Sequence, residues 1–167
     1  MSSTSELPAL RRKRIAPWFL AGVILAGLWI GLSDRGTKNP PVIADRTIEA
    51  HLAVPKDVEN ILARSCKDCH SYETRWPWYS RLPVMSRVLT EDVNHARSYM
   101  NLSDWSATMA KGKEEEAAAL NGMCEELRSD TMPLKWYRSV HRHTHLTEAE
   151  VKAVCQWTEK TAAALLH

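Results

Sequence analysis

No stretch of this chain alternates apolar and polar residues over a useful length. That removes the signal of a half-buried strand, and with it sandwiches, barrels and βαβ units. There is no internal repeat, and the low-complexity content is limited to short Glu and Ala runs. A basic stripe is also missing. Between Asp45 and His167 stand 16 Lys or Arg and 18 Asp or Glu, so the overall charge of +2 comes from Arg11, Arg12, Lys13, Arg14, Arg35 and Lys38. Nothing here argues for nucleic acid as a partner. Phenylalanine occurs once, whereas tryptophan occurs seven times, five of them after residue 75. A small domain so rich in indole has either a bulky core or something large and flat to pack against.

One long hydrophobic run is present. Ile15 to Leu32 contains no charge, and as a helix its 18 residues would extend roughly 27 Å, close to the thickness of a hydrocarbon core. Four adjacent cations, Arg11 to Arg14, precede it, and Trp18 and Trp29 sit near its ends. The positive-inside rule puts residues 1–14 in the cytoplasm and everything after Leu32 beyond the membrane. A cleaved signal peptide is the rival reading, but the run exceeds a usual h-region and no A-x-A follows it before Asp45. Gly36, Pro40 and Pro41 break any continuing helix, so residues 33–44 read as a linker and residues 45–167 as one domain on the periplasmic or outer side.

Within that domain the apolar spacing predicts helices. Val58, Ile61, Leu62, Ser65, Cys66 and Cys69 share one face over residues 56–70. A second helix is expected over about 84–100, with Met85, Val88, Leu89, Val93, Ala96 and Met100 inward. A third runs over about 113–128, with Ala117, Leu120, Cys124 and Leu127 inward and Glu114, Glu115 and Glu116 on its outer face. Thr147 and Glu150 form a capping-box pattern before a last helix lined by Val151, Val154, Cys155, Thr158, Ala162 and Leu165. The expected fold is mainly α, four helices around a centre with two long irregular connections.

The sharpest local signal is Cys66-Lys67-Asp68-Cys69-His70. C-x-x-C-H is the attachment pattern of c-type haem. Two thiols two residues apart can each add to one vinyl group of the porphyrin, and the following His70 then offers its imidazole to iron. A zinc site would need two further ligands, and no second C-x-x-C exists. A thioredoxin-like pair needs a βαβ pattern, which is missing. Export of the domain agrees with haem attachment, which in bacteria takes place outside the cytoplasmic membrane.

The stretch ILARSCKDCHSYETRWPWYSRLPVMS closely resembles a family of bacterial haem-binding domain proteins related to cytochromes c. The resemblance continues through Asn101-Leu102-Ser103-Asp104-Trp105, Met132-Pro133, Tyr137, His141, Leu146-Thr147 and Trp157, and covers about residues 40–160. It implies haem binding, and with the C-x-x-C-H motif the expectation is one covalent haem in a cytochrome c-like helical domain. A low-spin carrier needs a second axial ligand. Met132 stands in a loop 62 residues after His70, with Pro133 stiffening the chain beyond it, and the family pattern points there too. The competing ligands are His141, His143 and His145, and a sixth site left open would suit gas or peroxide chemistry. His51, His95 and His167 read as surface or structural residues.

Trp76, Trp78 and Tyr79 are candidates for packing on the haem or for the core. Arg75 and Arg81 are candidates for propionate pairing or simple exposure. Cys124 and Cys155, on inward helix faces, form either a disulfide between the third and fourth helices or two buried thiols. The sequence thus reads as a membrane-anchored mono-haem cytochrome that carries single electrons between redox proteins at the membrane surface. A haem sensor or peroxidase-like accessory is the main alternative.

Overall fold

The computed structural model describes residues 17–32 and 38–167, and the described residues are mainly helical with no strand. Helix α1 spans Pro17–Leu32. It is apolar on every side and exposed from Pro17 to Trp29. At 16 residues it is shorter than the run read from the sequence, because Ile15 and Ala16 lie outside the described residues, as do the basic segment 1–14 and residues 33–37 of the linker. Among the described residues no helix is long and apolar enough to cross a membrane.

After a 3-10 turn at Ala44–Arg46 come α2 (Ile48–His51) and α3 (Lys56–Ser65). Asp57 and Glu59 in the first turn of α3 and Arg64 in its last complement the helix dipole. Val58, Ile61, Leu62 and Ser65 are buried on one face, as their spacing requires. The stripe does not run on unbroken. Cys66 departs from helical φ at −120°, and the chain restarts as the single turn α4 (Lys67–His70). Cys66 still caps α3 through the Leu62 carbonyl and packs against its core, and the break falls between it and Cys69.

A 3-10 turn at Trp78–Arg81 leads to α5 (Pro83–Tyr99), where proline at the first helical position costs no hydrogen bond. Leu89, Val93 and Ala96 are buried, whereas Val88, expected inward, is 41% exposed. The short α6 (Trp105–Met109) precedes α7 (Lys113–Arg128), and Gly112 between them takes φ +113°, a conformation that a side chain would strain. Glu116 departs from the expected outer face. It is 3% exposed and accepts a hydrogen bond from the fully buried Trp105 indole at 2.7 Å. A buried carboxylate is held there because an aromatic N–H also needs a partner. The chain continues through α8 (Lys135–Val140) and a 3-10 turn at Arg142–Thr144 to α9 (Glu148–Leu166), which opens on the capping box of Thr147 and Glu150.

The largest packing contact joins α7 to α9, and α3 leans on α9. Ile48, Val58, Leu62, Leu102, Trp105, Leu120 and Val154 are at most 1% exposed. Burying an aliphatic side chain of this kind is worth about 1.5–3 kcal/mol. Cys124 of α7 and Cys155 of α9 are bonded, their Cα atoms 4.8 Å apart.

Candidate functional site

The turn α4 is fixed from its carbonyl side. The Leu102 amide donates to the His70 carbonyl at 2.7 Å, and the Leu102 carbonyl accepts from Ile48. The Tyr72 amide donates to Ser103 Oγ, and Arg97 donates to the Ser71 carbonyl and to Thr74 Oγ1. Asn101 Oδ1 accepts from the Ser103 amide and shapes this second strap. His70 therefore sits between its own turn and residues 97–103. Its Nδ1 lies 3.1 Å from the Met100 carbonyl. A ring N–H donated there leaves Nε2 unprotonated. Burial holds the imidazole below its ordinary pKa, against the opposing pull of the Met100 and Ala96 carbonyls. The neutral form, the one that ligates metal, is thereby favoured.

Cys66, Cys69 and His70 open on a cavity of about 660 Å³. Its walls come from α5 (Leu89, Val93, Ala96), α7 (Ala118, Ala119, Gly122, Met123) and the segment Met132–Tyr137. Met132 and His70 thus line the same cavity, although 62 residues apart. Burial pushes the Cys66 thiol up to about 12, with Cys69 adding to it. Cys69 is pushed up to about 11 by burial and then by the Asp68 and Asp92 carboxylates. Neither thiol is bonded. Such thiols are poor thiolate donors at neutral pH, unlike the activated pair of a dithiol oxidoreductase. Among the described residues no three His, Cys, Asp or Glu are grouped as a metal site would need.

The haem-binding domain model matches residues 25–160, most of the chain. This chain belongs to the haem-binding domain family. No curated protein and no solved structure matches it. In this haem-binding domain the donor set suits the group: two free thiols, one oriented imidazole and one thioether on a common, mostly apolar cavity. The shape agrees as well. A Cβ added to Gly122, in the middle of α7, would meet nothing within 4 Å. A helix-interior glycine costs about 1 kcal/mol against alanine, and Gly122 faces the cavity rather than a close protein neighbour.

The aromatic candidates divide. Trp76 lines the cavity and donates its indole N–H to Asn39 Oδ1. Trp78 does not reach it, being 78% exposed at the start of its 3-10 turn, and Tyr79 and His141 also lie off the lining. Tyr79 instead points its hydroxyl at His141 Nε2, 3.4 Å away. His95, read as a surface residue, is exposed but borders the cavity and packs edge-on against Tyr99.

Sequence reasoning missed a polar tie at the site. Asp68, between the two cysteines, accepts from the Arg75 amide and guanidinium and from the Tyr137 hydroxyl at 2.8 Å. Burial opposes its charge, but these donors outweigh it and hold the carboxyl below its ordinary range. Arg75 is thereby engaged with protein. The signal was present: a carboxylate interrupting an apolar stripe needs a partner.

Proposed function

We propose that this haem-binding domain is a mono-haem c-type cytochrome that transfers single electrons. The observation that carries the reading is the pairing of Cys66, Cys69 and His70 with Met132 on one apolar cavity. In this reading Cys66 and Cys69 would hold the porphyrin by thioethers, and His70, through Nε2, and Met132 would be the residues that ligate its iron. Bound there, haem supplies a one-electron iron couple, and methionine opposite histidine raises its potential. The chain's part is orientation and exclusion of water: the Met100 carbonyl fixes the imidazole ring, and the apolar faces of α5 and α7 keep the surroundings dry. His141 is the weaker axial candidate, since its ring nitrogens face Tyr79 Oη and the Tyr137 carbonyl.

We further read α1, with the cations before it, as an anchor that keeps the domain on the far side of a bacterial cytoplasmic membrane, near redox partner proteins. The Cys124–Cys155 disulfide supports an oxidising compartment.

The test is expression of the full chain in a host competent for cytochrome c maturation. The pyridine haemochromogen should report one covalent haem per chain, lost in Cys66→Ala/Cys69→Ala. Met132→Ala should lower the midpoint potential and admit carbon monoxide rapidly to the reduced form. A chain that matures without covalent haem would overturn the assignment, and an unchanged Met132→Ala spectrum would remove only the axial ligand.

A further inference from the structure

Two segments of the domain carry cations and no acid. Residues 75–87 hold Arg75, Arg81 and Arg87, and residues 131–145 hold Lys135, Arg138 and Arg142. Of the 16 Lys or Arg after residue 44, six fall here, and none of the 18 Asp or Glu does. The segments meet in space through Tyr79 and His141. Arg75, Arg87, Lys135 and Arg138 each have a carboxylate nearby. Arg81 and Arg142 are exposed and make no ion pair among the described residues, so neither charge is neutralised by a carboxylate within ion-pair distance. Next to Tyr79 and His141 in the chain, Trp78 is 78% exposed and Val140 60% exposed.

The same face connects to the cavity by rings. Trp78 meets Tyr79 edge-on at 5.8 Å, Tyr79 lies 6.2 Å from His141, and His141 stacks on Tyr137 at 4.2 Å. Tyr137 lines the cavity and bonds to Asp68 between the two cysteines. The Trp78 indole is mostly exposed and meets Tyr79 only edge-on, and a cationic rim attracts anionic partners and speeds their encounter.

We propose that the face made by Trp78, Tyr79, Arg81, His141 and Arg142 is where a redox protein with an acidic surface docks and exchanges one electron with a haem held at Cys66, Cys69 and His70. This rests on the haem reading above. In the oxidising direction iron(II) becomes iron(III), the partner's one-electron centre is reduced, and no bond is made or broken. The inward run of rings favours a redox protein over a lipid surface, which would need only the rim.

The experiment uses the full haem-loaded chain. Oxidation of the reduced protein by ferricyanide, an anion, should slow about tenfold in Arg81→Glu/Arg142→Glu at low ionic strength and recover as salt is raised. Oxidation by a cationic cobalt(III) phenanthroline complex should not slow. Haem content and midpoint potential should match wild type. Independently of turnover, the fluorine resonance of Trp78 in 5-fluorotryptophan-labelled reduced protein, assigned by its loss in Trp78→Phe, should be broadened by hexacyanochromate(III), and the broadening should vanish in the double variant. An equal slowing by Lys152→Glu/Lys160→Glu on α9 would show that net charge alone matters and would overturn the proposal. So would a Trp78 resonance that hexacyanochromate no longer reaches once the chain is reconstituted in vesicles containing anionic phospholipid, since the face would then rest on the bilayer. A chain without haem fails the earlier reading instead, and the haemochromogen distinguishes the two failures.

Discussion

The two sides of α7 are built to different rules. Toward α6 and α9 it presents Glu116, Ala117, Leu120 and Cys124, all at most 3% exposed and covered by other parts of the chain. Toward the cavity it presents Ala118, Ala119 and Gly122, with open space beyond Gly122, while Met123 and Leu127 between the two sides touch both core and cavity. One side reaches the close packing of a protein interior, where every methylene is felt. The other is small and apolar without filling its own space, as expected of a wall made for a flat ligand. The contrast teaches that close packing and open cavity wall are carried largely by different positions of one helix, with Met123 and Leu127 shared, and can be separated by substitution elsewhere.

The largest test is on the packed side. Trp105→Ala should cost about 3–5 kcal/mol by urea unfolding, from the cavity it leaves and from the Glu116 carboxylate stranded without its donor. A loss below about 1 kcal/mol would mean that this side relaxes as freely as the cavity side. Next is the disulfide. Cys124→Ser/Cys155→Ser opens a link between residues 31 apart, and the loop-entropy account gives about 3–4 kcal/mol. Covalent haem per folded chain should stay at wild-type level, because neither cysteine lines the cavity. The smallest change in stability belongs to the cavity wall. Gly122→Ala should raise the stability of protein made without haem by about 1 kcal/mol, since nothing obstructs the added methyl. Gly122→Leu should leave that stability near wild type and lower the haemochromogen yield severalfold. Equal yields for glycine and leucine would erase the distinction between the two faces.

Much of this was legible in the chain itself. Helices α5, α7 and α9 follow their apolar periodicity, and α9 its capping box, because a stripe several turns long leaves one solution. The short α2 and α6 carry no such stripe and are held by tertiary bonds, as the Ile48 amide is by Leu102. Glu116 was misplaced because charge suggests exposure, and only the indole of Trp105 eleven residues earlier reverses that. Val88 was misplaced because apolar type says little about burial near a helix start. Within the site, the C-x-x-C-H spacing points to haem, and the family match to residues 25–160 agrees on haem binding. The tie from Asp68 to Arg75 and Tyr137 spans up to 69 residues, a distance at which residue types carry no register.

The acceptor that orients His70 is a main-chain atom, the carbonyl of Met100. Whatever side chain mutation places at position 100, that oxygen is retained. An alanine scan of the neighbourhood would therefore record no orienting partner for the imidazole, although one is there. Only a change in the path of the chain, such as a deletion between Tyr99 and Leu102, would remove it. The orientation of the His70 ring is thus insulated from point substitution at its nearest contact, and the side chains that matter to it are those that set the path of the strap, Asn101 and Ser103.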